Sequence, residues 1–424
     1  MGFADYYFNK NQDFIRHIEE PPKGLLRFIT VIPAYLEDGI FLTLQSLKDT
    51  FLPEGCLEVI IVVNYSETDS DENKGINNKI YFELIEWSKE NSSNELTFYP
   101  LLAADLPKKH AGVGLARKIG MDEALWRFNS MNDPEGLILS LDADSLIDSN
   151  YFQSVAKSMS VNPKSGGCIL HFEHPLEGTV YSEMVYNAIL QYELHLRYYK
   201  HILKFTGFPY VNYTIGSCFG VKADFYAQQG GMNRRQAGED FYFLNKLFPH
   251  KEFVEITDTC VHPSPRPSLR VPFGTGASVS KMITHNESLF LTYSPLAFFD
   301  LKDFLSNIER LYYYNQQQLR NEFERWPAPV KEYLQLNRFL EKHEEIRSNS
   351  GSVDAFIKRF YNWFDGFKVV KFLNLAHEKF YKKLTVEQAI VSFLQSINYK
   401  GKEKNVDEYL ELFRELDRKK LFIG

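Results

Sequence analysis

Two aspartates one residue apart, Asp142 and Asp144, follow directly on the apolar run Leu137-Ile138-Leu139-Ser140-Leu141. Such a run reads as a strand buried on both faces. A carboxylate has no reason to end a strand inside a core. It has one at the C-terminal end of a strand in an α/β sheet, because ligands bind in the crevice there. Alternate residues of extended chain point the same way, so the two acids can address one target. Two hard oxygen ligands suit Mg²⁺ or Mn²⁺, ions that commonly accompany a phosphate-bearing substrate.

A second acidic pair, Glu239-Asp240, stands between Gly238 and the apolar helical run Phe241-Tyr242-Phe243-Leu244. Acids in a first helical turn complement the helix dipole, which is a sufficient structural reason for them. Basic groups complete the inventory. Lys108-Lys109-His110-Ala111-Gly112-Val113-Gly114-Leu115-Ala116-Arg117 places cations and two glycines before a helix. Backbone amides at a helix start and adjacent cations can hold phosphate, and a solvated basic loop is the plainer reading. The loop 263–278 carries Arg266, Arg270, Gly274 and Gly276. Arginine grips a diphosphate bidentately, so this loop reads either as a cover over a phosphate ligand or as an exposed linker.

Strands alternating with helices supply the frame. Buried strands are expected at 28–33, 57–63, 96–99 and 137–141, with helices near 40–47, 76–89 and 115–128 and a polar acidic loop at 66–74. This alternation implies a mostly parallel sheet flanked by helices, an α/β fold of Rossmann-like kind. Residues 1–27 read as a polar lead-in, 179–203 as a long amphipathic helix, and 211–262 as a mixed stretch. The tyrosines of 179–203 serve a core or interface more readily than a sugar-stacking surface. Beyond residue 290 the pattern turns helical, at 300–323, 329–348, 353–365, 367–383, 386–396 and 406–418. Two domains are therefore expected, 1–290 and an all-helical 291–424.

With 424 residues, 44% hydrophobic and 24% charged, the chain can build a large core. A net charge of −7 argues against general nucleic-acid binding. No signal peptide and no transmembrane run are read from the sequence. The cysteines (Cys56, Cys168, Cys218, Cys260) are dispersed, without C-x-x-C spacing, and fit reduced thiols in a cytoplasmic protein.

Four pieces in order now carry a resemblance: Val31-Ile32-Pro33-Ala34-Tyr35 with Glu37, Val62-Val63-Asn64-Tyr65-Ser66, Asp142-Ala143-Asp144, and Gly238-Glu239-Asp240. Over the first ~270 residues, a plausible domain size, the chain resembles the GT-A fold of family-two nucleotide-sugar glycosyltransferases. The resemblance implies that Pro33, Ala34, Tyr35, Glu37 and Asn64 line the nucleoside pocket. It implies that Arg117 lies near the donor, while Arg266 and Arg270 are expected at the donor from the chemistry of their loop. Asp144 is then the direct ligand of Mn²⁺ or Mg²⁺. Asp142 touches the ribose or a metal-bound water, and His262 completes the metal site or is an ordinary loop histidine. Asp240 becomes the base that deprotonates the acceptor hydroxyl, with Glu239 positioning that acceptor. The sequence departs from the family at Asn64, usually Asp, at Leu36, often Asn, and at Lys118, usually Asn.

The expected activity is thus a metal-dependent, inverting, non-processive transfer from a nucleotide-diphosphate sugar to a glycan, lipid-linked or small-molecule acceptor. The Gln-x-x-Arg-Trp element of the family's membrane synthases is not found in the sequence. The rival readings are a sugar nucleotidyltransferase and a non-catalytic nucleotide- or glycan-binding scaffold. The helical region offers a surface for self-association, and the expected location is cytoplasmic, including the inner face of a membrane.

Overall fold

The computed structural model describes residues 2–268, 270, 274–285 and 289–423. The chain divides into two compact units, Met1–Gly178 with Thr214–Ala277, and Thr179–Tyr213 with Ser278–Gly424. The segment 179–213, expected within the first domain, thus groups with the helical C-terminal part, and the boundary expected near 290 lies a little beyond the division.

Among the described residues the first unit is built on eight strands: β1 Leu26–Ala34, β2 Cys56–Ser66, β3 Leu96–Leu106, β4 Leu137–Ser140, β5 Leu146–Ile147, β6 Gly167–Phe172, β7 Phe219–Lys222 and β8 Phe253–His262. They form one mixed sheet in the order β3-β2-β1-β4-β7-β6-β8-β5. β1 pairs in parallel with β2 and β4, β2 with β3, and β6 with β8. β7 runs antiparallel to β4 and β6, and β5 to β8. The sheet is therefore mostly parallel in strand direction, as expected. Ile29, Val31, Ile32 and Val59 to Val63 are sealed from solvent because helices cover both faces. Burying each such side chain stabilises the fold by about 1.5–3 kcal/mol.

Several elements run longer than the hydrophobic pattern implied. The helix expected from residue 76 begins at Asp71, inside the stretch expected as a loop, because Ser70 accepts the amide of Asn73 and Asp71 and Glu72 occupy the first turn. β6 and the helix Tyr151–Val161 had no counterpart in the sequence reading. The N-terminal lead-in is anchored: Tyr7 is buried and its hydroxyl donates to Asp122 at 2.7 Å.

Among its described residues the second unit is helical apart from a two-residue antiparallel pair, Leu291–Thr292 with Leu384–Thr385. The helix expected over 329–348 breaks at Asn337 and Arg338, where Arg338 takes a left-handed φ of 50°. The span 300–323 likewise resolves into three shorter helices. No helix among the described residues is long and apolar enough to cross a membrane.

Candidate active site

Because β3, β2, β1 and β4 run parallel, the chain leaves each of them on the same edge of the sheet. That edge carries Tyr35 and Glu37 after β1, Asn64 near the end of β2, and Asp142 and Asp144 after β4. Pro33 and Ala34 are buried strand residues paired with Val62 and Val63, so only Ala34's backbone end borders the edge. The Asn64 side chain donates to the Ala34 carbonyl at 2.8 Å, tying the ends of the two strands together. This fixed use of its amide is something a carboxylate in the same place could not provide.

Leu36 turns the chain away from β1 with φ 50°, a conformation that costs a side chain roughly 1–2 kcal/mol. Asn77 accepts its amide at 2.9 Å and Arg270 donates to its carbonyl at 2.8 Å. Asparagine takes this conformation more readily. In this chain Asn77 supplies the amide from the neighbouring helix instead. The turn brings Glu37 inward, nearly buried, where Arg266 meets it at 2.6 Å and Arg270 at 3.0 Å. Arg266 also reaches Asp144 at 3.1 Å, and the Arg270 guanidinium lies 5.9 Å from the Tyr35 ring centre. Leu269 and residues 271–273 of the same loop lie outside the described residues.

Arg117 organises the other half. The helix Val113–Ser130 delivers it fully buried beneath the edge. It donates to Asp142 at 2.8 Å, to Glu239 at 3.2 Å, to the Gly216 carbonyl at 3.1 Å and to the Ser140 hydroxyl. Burial works against its charge, but Asp142 and Glu239 hold the guanidinium above its ordinary value. Gly216 leaves room for both side chains: a Cβ there would stand 2.8 Å from Arg117 Nη2 and 3.2 Å from Asp240 Oδ2. Gly114, in the first turn of that helix, has a packing role. A Cβ on Gly114 would lie 2.1 Å from the Arg235 carbonyl oxygen and 3.0 Å from Glu239 Cβ. Gly114 thus lets the segment leading to Glu239 and Asp240 close onto Arg117, a use for the Gly-x-Gly that involves no phosphate.

Gly238, at φ 64°, starts the helix Glu239–Leu247. Asp240 accepts its own helix's Phe241 amide at 2.7 Å. Desolvation and the neighbouring Glu239 charge push the Asp240 carboxyl up to about 7, against the opposing pull of Arg117. Burial likewise raises Glu239. Asp144 is pushed up to about 6 by burial and by the nearby Asp142 and Glu37, with Arg266 and Arg270 opposing. Five carboxylates (Glu37, Asp142, Asp144, Glu239, Asp240) thus share three guanidiniums (Arg117, Arg266, Arg270) along one connected edge.

Of the residues singled out from sequence, Tyr35, Glu37, Asn64, Arg117, Asp142, Asp144, Glu239, Asp240, Arg266 and Arg270 belong to this edge and its contacts. His262 is held differently. Its strand partner is Leu146, so its ring meets Asp148 at 2.9 Å and the Glu173 carbonyl at 3.2 Å. Asp142, Asp144 and His262 do not gather their ligand atoms within 4.8 Å of one another. The two aspartates, each about one-third exposed, have the hard-oxygen chemistry that a divalent ion takes. Ser140, Gly216 and Asn77 escaped the sequence reading because they act through contacts 23 to 99 positions away or from an adjacent helix.

The sheet order and the acidic edge at its parallel strands define an α/β protein of GT-A-like fold. No family model and no curated protein matches the chain. Among solved structures it is similar to S. aureus TarS 1–349 in complex with UDP-GlcNAc, at 14% identity over 94% of this chain and 93% of that one, with a TM-score of 0.39. It is also similar to a mannosyltransferase from Pyrobaculum calidifontis in complex with GDP-Man and Mn²⁺, at 12% identity over 97% of this chain and 93% of that one, with a TM-score of 0.36.

Proposed function

We propose that this protein is a glycosyltransferase that moves a sugar from a nucleotide-diphosphate donor to an acceptor hydroxyl with inversion, one or few sugars at a time. The observation that carries this reading is the excess of carboxylates over guanidiniums on one sheet edge, with Asp240 held near neutrality beside Arg117. A base with a value near the working pH is suited to remove the acceptor proton. The acceptor oxygen then bonds to the anomeric carbon, the carbon–oxygen bond to the diphosphate breaks, and Asp240 keeps the proton.

Arg266 and Arg270 would exchange their contacts with Glu37 and Asp144 for diphosphate oxygens, which they can grip bidentately. Asp142 and Asp144 would hold Mn²⁺ or Mg²⁺, which supplies charge neutralisation for the departing diphosphate. Tyr35 and Asn64 would border the nucleoside. His262 would join the metal by giving up either Asp148 or the Glu173 carbonyl. The acceptor is assigned to the glycan, lipid-linked or small-molecule alcohols, and the helical unit to acceptor binding or self-association. All four cysteines are free thiols, in keeping with action in the cytoplasm.

Thermal-shift titration with UDP-, GDP- and dTDP-sugars, each with and without Mn²⁺, tests the reading. A donor at 100 times its dissociation constant adds about 2.7 kcal/mol of stability. A metal-dependent shift by one donor class, followed by release of nucleoside diphosphate on adding acceptor, is expected. Release of sugar 1-phosphate would indicate nucleotidyl transfer, and binding without turnover a scaffold.

A further inference from the structure

Away from the acidic edge, three side chains of different chemistry converge between β6 and β8. The two strands pair in regular parallel register from Gly167 with Phe253 to Leu170 with Ile256. The register then jumps, and His171 pairs with Cys260. Residues 257–259 are accommodated as a bulge on β8. Bulges re-aim side chains and are over-represented next to functional sites. This one sets Cys260 opposite His171 and brings it within reach of Glu173, which is two positions on from His171. The ligand atoms of His171, Glu173 and Cys260 all lie within 4.8 Å of one another. His171 Nε2 and Glu173 Oε1 are 2.7 Å apart, and all three residues are at most 9% exposed.

We propose that His171, Glu173 and Cys260 form a second metal site, one for Zn²⁺ or a similar borderline-soft ion. A thiolate, an imidazole and a carboxylate are zinc ligands, and the thiolate disfavours Mg²⁺ and Mn²⁺. The site is therefore separated from the Asp142–Asp144 edge by chemistry as well as by residues. Binding breaks the Cys260 S–H bond and forms a sulfur–metal bond, with the proton released to solvent. The His171–Glu173 hydrogen bond gives way to one metal bond from each. Three protein ligands leave a fourth position for water or an exogenous ligand. The ion clamps β6 to β8 just past the bulge, where the regular ladder is interrupted. The Glu173 carbonyl also accepts the His262 ring at 3.2 Å, so the clamp fixes that histidine as well.

The test uses the full chain, freed of metal by a chelator and titrated with Co²⁺ as a spectroscopic substitute for zinc. Stoichiometric growth of a thiolate-to-cobalt charge-transfer band is expected. Cys260→Ser should abolish the band, and His171→Asn should weaken affinity by more than the about 10–100-fold that follows loss of an outer-sphere partner. Asp144→Asn should leave the band intact, which separates this site from the proposed donor metal. Independently of any variant, Zn²⁺ should protect Cys260 from alkylation in peptide mapping of the unaltered protein. No band with no protection, a band that survives Cys260→Ser in a folded protein, or a band lost in Asp144→Asn would each overturn the proposal.

Discussion

Two charged clusters, one in each unit, are built on opposite plans. In the helical unit, Arg197 is fully buried between Glu193 at 2.7 Å and Asp417 at 2.6 Å. Arg414 reaches Glu193 at 2.8 Å, while Lys200 and the Tyr213 hydroxyl meet Asp417 at 3.2 and 2.7 Å. Every acid there faces several donors. Burial alone would raise Asp417, yet His201, Lys200 and Arg197 hold it far below the carboxylate range. On the sheet edge the balance is reversed: acids outnumber arginines, and Asp144 and Asp240 are held high. The first cluster is electrostatically closed and joins the helix Glu183–Phe205 to Val406–Arg418. The second leaves negative charge that a cation and a proton-bearing substrate can satisfy. Burial of charge is common to both, so the surplus of acids over cations is what marks a site for ligands.

The sharpest way to break this contrast is Asp240→Asn. Turnover should fall by about 10²–10⁴-fold, the usual contribution of a general base. Donor affinity should stay near that of the parent, as read by calorimetry. An equal loss of donor affinity would make Asp240 a binding group. The converse is Asp417→Asn, which strips a buried cluster of its anion. Denaturant unfolding should show a loss of about 3–5 kcal/mol. Turnover per folded molecule should not change.

Arg266→Ala comes next. Its guanidinium is only 30% accessible but faces Glu37 and Asp144 along a partly open edge. Donor affinity should weaken by about 1.5–3 kcal/mol, the scale of a hydrogen bond to a charged group. The change in folding stability should stay under about 1 kcal/mol. If unfolding is hit harder than donor binding, the arginine belongs with the closed kind of cluster.

The contrast also shows in the pH dependence. The folded-state Asp240 value, raised to about 7, lies above its ordinary 3.8. The folded protein therefore holds a proton that the unfolded chain has released, and stability falls as pH rises through that window. Asp240→Asn should flatten the decline in melting temperature between roughly pH 4 and 7. Catalysis should run the other way, with kcat rising through about pH 7 as the base is freed. A parent and variant with superimposable stability profiles would rule out the raised value.

Much of this was legible before any coordinates. Period and composition mark β1, β2 and β4 as continuous apolar runs, and Asp142 and Asp144 are conspicuous because acids directly follow one of them. The Glu239-Asp240 pair was visible too, although its helix-start position gave it an equally good structural reason. β6 was missed, although Cys168, Ile169 and Leu170 are apolar, because Gly167 and His171 bracket a run too short to separate from a loop. The helix expected over 329–348 was drawn too long because its apolar spacing continues through Arg338, whose left-handed turn local pattern does not announce.

The order of residues was enough to establish a sheet of alternating strands and helices, and to show which strand ends carry acids. Hydrophobic periodicity is a local property, and so is the abrupt polarity at a strand's end. Which acids share a cation was a matter of folding alone. Arg117 meets Asp142, Glu239 and Gly216 because one helix crosses beneath the sheet and a glycine at 114 lets a distant segment approach. The surplus charge, and the raised Asp240 that follows from it, depend on distances and burial that exist only once those remote segments are packed together.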